Sequence, residues 1–201
     1  MNNFTYVIIV IVSMCTWSVL HSWLAAFSTK DLAQRIFGEK IRRFYRLIYI
    51  LIAGVTLLPI LGMVLFLPSR VLWVIPVPWR YLTITLQGLA LVGLVVTVLQ
   101  VDTLAFIGLR QLNNPDAESE AELVTRGFYR MVRHPLYFFS LVIFWLFPIM
   151  TNLGLAFVIV SSLYFVLGSI VEERKLVEIY GDSYRAYQRD VPRIIPWLRL
   201  I

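Results

Sequence analysis

The sequence is poor in what a water-soluble protein displays. Charged residues make up 15% of its 201 positions and hydrophobic ones 59%, whereas an average soluble domain is about 25% charged and roughly 45–50% apolar. That deficit excludes an ordinary soluble globule and a disordered chain. A single cysteine, Cys15, excludes an internal disulfide framework and in its apolar run reads as a small buried hydrophobe. There are two histidines, His21 and His134, far apart in the chain, so no dedicated metal site is expected. Internal repeats and low-complexity segments are absent too.

What is present is apolar and basic. The net charge is +6, the pI about 9.7 and the mean hydropathy +0.77. In so apolar a chain the basic excess is expected at a lipid bilayer surface, with no nucleic-acid partner. Three runs without a charged residue, Phe4–Phe27, Leu47–Leu67 and Tyr81–Val101, hold 24, 21 and 21 residues, and about 20 suffice to cross a bilayer core. The first run lacks a basic leader and exceeds a signal-peptide core, so a permanent helix is expected. A fourth run, Leu136–Val171, has 36 uncharged residues, too many for one span. Its Met150-Thr151-Asn152-Leu153-Gly154 break predicts a tight helical hairpin with arms of about 18 residues, each ~27 Å long. The expected fold is an all-α integral membrane protein with five transmembrane helices, the last two forming a helical hairpin, plus a cytoplasmic C-terminal interfacial helix.

Loop charges give the orientation. Segments 28–46, 102–135 and the tail from Glu172 hold sixteen basic residues, the other side only Arg70 and Arg80. The positive-inside rule then puts the N-terminus outside and the C-terminus in the cytoplasm. The Pro- and Trp-rich loop Pro68–Trp79 reads as an aromatic interfacial belt, and the acidic stretch Asp116–Glu122 as a solvated loop. In the tail, Leu176, Tyr180, Tyr184 and Tyr187 recur at helical spacing, predicting an interfacial helix ended by Pro192 and Pro196.

The dense polar residues all fall on the cytoplasmic side, in Leu123–Tyr137 and from Glu172 onward. A hairpin that returns to its starting side brings His134 and Tyr137 beside Glu172 and Glu173. Pro135 suits the first turn of a helix and makes His134 its N-cap. Arg130 and Arg133 read equally well as headgroup anchors. Two carboxylates ending an uncharged helix oppose its dipole, and acidic residues at that depth suit the holding of a cation.

The pattern Leu123-Val124-Thr125-x-Gly127-x-Tyr129-x-x-x-Arg133-His134-Pro135-x-Tyr137, an apolar hairpin, Glu172-Glu173-x-x-Leu176, Gly181, Tyr184, Tyr187 and Val191-Pro192 with Pro196 resembles the membrane methyltransferases. These form the superfamily of isoprenylcysteine carboxyl methyltransferase and the phospholipid methyltransferases. Within it, Phe106–Gln111, Phe144–Thr151, His21-Ser22 and Lys30 are most similar to the methanethiol S-methyltransferase branch, related to the nitrite-reductase accessory (NnrU-like) membrane proteins. The resemblance covers roughly residues 101–196 and divides the chain into a three-helix membrane region, 1–101, and a methyltransferase core, 102–201.

The resemblance implies an enzyme that uses S-adenosyl-L-methionine, on the cytoplasmic side. Leu123 and Val124 would meet its adenosine end; Tyr129, His134, Pro135, Leu136 and Tyr137 would wrap it; Glu172 would take its ammonium. The physical chemistry agrees, since a carboxylate and aromatic faces suit an ammonium and a sulfonium. Arg130, Arg133 and Arg174 remain open for the cofactor carboxylate. For catalysis His134 is a possible proton acceptor, with Arg133 and Arg130 supplying a field that favours a thiolate. His21, Glu173 and Arg174 are candidates for the acceptor pocket. The expected acceptor is a small thiol; an isoprenylcysteine or a lipid is the alternative. A carboxylate-bearing prenylcysteine is disfavoured because Phe165–Val171 holds no basic residue. A sterol-reductase- or isomerase-like enzyme and a non-enzymatic membrane accessory protein are the readings from other classes.

Overall fold

The computed structural model describes residues 2–114 and 122–198; the expected acidic loop thus lies almost wholly outside the described residues. In chain order the elements are α1 (Asn3–Leu24), α2 (Phe27–Phe37), α3 (Ile41–Phe66), β1 (Val71–Val74), α4 (Trp79–Gln100), α5 (Thr103–Phe106), α6 (Pro135–Trp145), β2 (Ile149–Thr151), α7 (Asn152–Tyr180) and α8 (Asp182–Asp190). Short 3₁₀ turns cover Arg110–Leu112 and Gly127–Arg130. Four helices, α1, α3, α4 and α7, are long and apolar enough to cross a membrane. Large apolar side chains such as Leu65, Phe66, Leu91 and Leu163 point outward from them, the arrangement a bilayer-facing helix requires. Cys15, expected to be buried, is exposed on α1, where hydrocarbon replaces a protein interior.

The chain forms two compact units, each assembled from three stretches. The first comprises Met1–Arg70, Asp102–Ala121 and Asn152–Val160. Here α1 starts on Asn2, whose side chain accepts from Thr5 N at 2.9 Å, and packs on α3. Trp17 stacks on His21 at 4.7 Å, and the Tyr49 hydroxyl lies 2.6 Å from His21 Nε2. Trp17 Nε1 donates to Ala53 O and Thr56 Oγ1 at 3.2 and 3.1 Å. Such contacts are how polar side chains are accommodated between membrane helices.

The second unit comprises Val71–Val101, Glu122–Thr151 and Ser161–Ile201. Its frame is the antiparallel return of the chain along α4. Phe128 N donates to Gln100 Oε1 at 3.1 Å, Gly93 faces the Phe139 ring, Gln87 Nε2 donates to Ile143 O at 2.8 Å, and Ile75 N donates to Pro148 O at 2.8 Å. Beyond that point β1 and β2 pair, with Val74 opposite Ile149. Gly93 is small for a reason: a Cβ there would sit 2.6 Å from the Phe139 ring.

Two expectations differ from the structure. The first arm of the fourth apolar run is an 11-residue helix ending at Trp145, about 16 Å at 1.5 Å per residue. Pro148 accounts for this, because it lacks an N–H and pushes its predecessor out of the helical region. Ile149–Thr151 then find their hydrogen bonds on β1, inside the loop expected to be an aromatic belt. The tail also differs. Helix α7 continues past the Glu pair to Tyr180, and Gly181, at φ 57°, separates it from α8. The positive φ is cheap for glycine, so the tyrosine series is split between two helices.

Candidate functional site

Pro135 opens α6 with His134 as its N-cap residue, and the backbone N–H groups of Arg133 and His134 donate to Pro192 O and Arg193 O, each at 2.9 Å. The tail is thereby threaded across the start of α6. Phe165 of α7 stacks on Tyr137 of α6 at 4.9 Å, and Trp145 Nε1 reaches Ser162 Oγ at 3.1 Å. These contacts bring Arg133, His134 and Tyr137 together with Glu172 and Glu173.

Glu173 is the hub. Its side chain is 4% exposed and takes Arg133 Nε on Oε1 at 2.7 Å and Nη2 on Oε2 at 3.1 Å. Gln188 Nε2 and Arg193 Nε add donors to Oε2 at 3.0 and 3.3 Å. Arg133 Nη1 is taken by the Gln188 and Val191 carbonyls at 2.8 and 2.5 Å. This geometry corrects the dipole argument: the pair sits two turns inside α7, and the Glu173 charge is met by bidentate Arg133. Arg133, expected to act on substrate or cofactor, is committed to Glu173 and to the tail. Gln188 and Arg193 were missed as partners; the Val191-Pro192 and Pro196 pattern marked their segment but not their direction.

Glu172 is different. Its side chain is 47% exposed; Oε2 accepts from the Tyr137 hydroxyl at 2.9 Å and lies 3.4 Å from His134 Nδ1. Oε1 meets no donor among the described residues. Tyr137 is sandwiched between His134, at 5.2 Å and 4°, and Phe165. Both its faces are covered, so its contribution is the hydroxyl that orients Glu172 rather than the expected ring face. His134 is buried, and its Nε2 lies 3.1 Å from Glu173 Oε1. Burial alone would lower the imidazole pKa, but hydrogen bonds to Glu172 and Glu173 and their charges reverse this and hold it above 6.5.

The remaining expected residues fall around this group or apart from it. Leu123 and Val124 are half-buried in an extended stretch, Pro135 is buried and Leu136 half-buried. The Tyr129 carbonyl accepts from the Tyr187 hydroxyl at 2.5 Å; burial, then the Glu172 charge, pushes the Tyr129 phenol up to about 12. Tyr184 is buried, and its hydroxyl has no hydrogen-bond partner among the described residues. Arg130 and Arg174 are exposed and make no side-chain ion pair among the described residues. His21 belongs to the first unit, with Trp17 and Tyr49. Gly127, at φ 63°, lies so close to the Gln100 side chain that a Cβ would come within 2.2 Å of it. Gln100 therefore positions the turn before Arg130, a role without a sequence signal.

The sequence profile of the family described as phospholipid methyltransferase matches residues 82–183. Methanethiol S-methyltransferase 1 of Bradyrhizobium diazoefficiens is 32% identical over 97% of this chain and 68% of that protein. The methanethiol S-methyltransferase of Mycobacterium tuberculosis is 29% identical over 95% of this chain and 78% of that protein. That of Crocosphaera subtropica is 36% identical over 57% of this chain and 46% of that protein, so the chain spans less than half of its length. No solved structure matches the chain.

Proposed function

The chain belongs to the phospholipid methyltransferase family, and from that premise we propose that it S-methylates a small thiol with S-adenosylmethionine as methyl donor. It is a membrane methyltransferase; the acceptor class is carried by the relatives named methanethiol S-methyltransferase that align over nearly the whole chain. The single observation at the site that supports the donor is Glu172: a half-exposed carboxylate fixed through one oxygen, with the other lacking a donor among the described residues.

These residues fit the cofactor. Glu172 Oε1 suits its ammonium, and exposed Arg130 or Arg174 suits its carboxylate, Arg133 being engaged elsewhere. Leu123 and Val124 offer an apolar edge for adenosine, beside Tyr129, Pro135 and Leu136. S-adenosylmethionine supplies a methyl group already activated on a positively charged sulfur. The protein's task is then alignment and exclusion of water, while Arg130 and Arg174 provide a positive field that favours the thiolate form of an acceptor. His21 and Glu173 carry no such role in this reading: His21 holds Tyr49, and Glu173 holds the tail.

We further propose five membrane crossings, with the N-terminus outside and the C-terminus and site at the cytoplasmic face. The basic-residue asymmetry supports the orientation. The fifth crossing is supported by the chain 128–149, which follows α4 from Gln100 to the segment before Trp79. It pairs the short helix α6 with an extended stretch ending in β2. Residues 102–201 carry the methyl-transfer machinery, and α8 closes the site from the cytoplasmic interface.

The test is product analysis by mass spectrometry. Purified protein is given isotopically methyl-labelled cofactor and a panel of small thiols, prenylcysteines and phospholipids. Labelled methyl thioether is the expected product, and label found only on prenylcysteine or phospholipid overturns the acceptor assignment.

A further inference from the structure

Each ring nitrogen of His134 faces a carboxylate: Nδ1 lies 3.4 Å from Glu172 Oε2 and Nε2 lies 3.1 Å from Glu173 Oε1. An ionised carboxylate only accepts hydrogen bonds, and a neutral imidazole has a single N–H. In either neutral tautomer one nitrogen lone pair would point at a carboxylate oxygen inside a buried site, where such an opposition is costly. We infer that His134 is a doubly protonated strut, a positioning residue that sets Glu172 against Glu173, and is not the proton acceptor in methyl transfer. The inference deepens the methyltransferase reading, and its kinetic consequence rests on that reading.

The surroundings of the ring explain why the proton stays. From α7 come Glu172 and Glu173; from its own helix, Tyr137 stacks on the ring and spends its hydroxyl on Glu172. Arg133, just before it, and Arg193 and Gln188, from the tail, direct their N–H groups to Glu173. The two arginine charges oppose protonation, but they act across Glu173 rather than on the ring. The two direct carboxylate contacts prevail, in keeping with the upward displacement of this imidazole. Tyr129 also lies in the field of Glu172, and as a neutral phenol it adds no charge.

A histidine already carrying both protons cannot take one from a thiol. The acceptor must therefore lose its proton to solvent before attack. The thiolate sulfur then forms the new S–CH3 bond as the methyl–sulfonium bond breaks, and its electron pair returns to the departing sulfur. Methyl transfer should consequently lack an acid limb belonging to His134, and should decline in alkali as the strut loses its proton and Glu172 its support.

The test is nitrogen NMR of the full-length protein labelled with ¹⁵N-histidine, with no cofactor or acceptor added. The chain has two histidines, so the His21→Gln variant assigns the His134 signals. Both His134 nitrogens should carry protons at pH 7.5, and Glu172→Gln should shift the titration midpoint to lower pH. An unprotonated, pyridine-type nitrogen in the unsubstituted protein at pH 7.5 overturns the inference, as does a midpoint unmoved by Glu172→Gln. The second readout is the pH dependence of kcat with a small thiol: an alkaline decline supports the strut, and an acid limb that vanishes in His134→Gln refutes it. Failure to methylate any thiol would sink the acceptor assignment and leave the NMR result standing.

Discussion

Glu172 and Glu173 are adjacent in sequence and opposite in environment, and replacing each by glutamine separates binding from architecture. Glu172→Gln keeps the size of the side chain and leaves an amide oxygen for the Tyr137 hydroxyl. It removes the charge that would meet the cofactor ammonium. A hydrogen bond to a charged group contributes about 1.5–3 kcal/mol, and with the Glu172 side chain 47% exposed the lower part of that range applies. At 1.4 kcal/mol per decade, cofactor affinity should fall about 10- to 100-fold. Calorimetry with S-adenosylmethionine measures the loss directly. An analogue lacking the α-amino group completes the cycle, since the variant should bind it no worse than the unsubstituted protein does. Glu173→Gln should instead break a buried, bidentate ion pair, at a cost of about 3–5 kcal/mol in stability, seen as a lower unfolding temperature. Unchanged affinity in Glu172→Gln, or equal affinity losses in both variants with no loss of stability at 173, would refute the division of roles.

Other substitutions probe the frame. Gly127→Ala puts a Cβ into Gln100 at a positive φ, and should destabilise by about 1–3 kcal/mol; an unfolding temperature equal to that of the unsubstituted protein would count against the close approach. Gly93→Leu should separate α4 from the Phe139 ring and lower the yield of folded protein in detergent, whereas Gly88→Leu, which faces open space, should not. The His134 contribution to stability has a definite sign. Its folded pKa lies above 6.5, so its stabilisation is complete below about pH 6.5 and is lost as pH rises through the raised value. Unfolding temperatures across pH 6 to 9 should fall in the unsubstituted protein more than in His134→Gln, and parallel curves would refute the linkage. A reporter fused to the C-terminus should be active only if it functions in the cytoplasm.

The long spans were legible because charge-free runs of 21 residues or more have few alternatives to a membrane helix. Pro135 likewise announced the start of α6 through its missing N–H. The end of that helix was less visible, because it depends on β2 finding an unpaired edge on β1, a contact between segments far apart in the chain. At the site, sequence reasoning reached the residues but not their division of labour. Arg133 and Glu172 were both expected to face ligands, yet only Glu172 does so, because Glu173 and two tail carbonyls absorb the guanidinium. Which of two neighbouring glutamates turns inward depends on the rotation of α7 against α6, and Tyr137 and Phe165 fix that rotation by stacking rather than by a spacing a motif could record.

The pairing of Arg133 with Glu173 also sets an order of events during synthesis. Forty residues separate them, so at about 5–20 residues per second the arginine leaves the ribosome roughly 2–8 s before its partner. For that interval Arg133 and His134 have no counter-charge, and they can stay hydrated only outside the hydrocarbon layer. The tail carbonyls that share Arg133 emerge later still. A nascent chain stopped before Glu173 would therefore hold its helices in the bilayer with the arginine still in water. It would display an unfinished cytoplasmic face to proteases that survey the membrane, and only completion of the chain would draw that face closed.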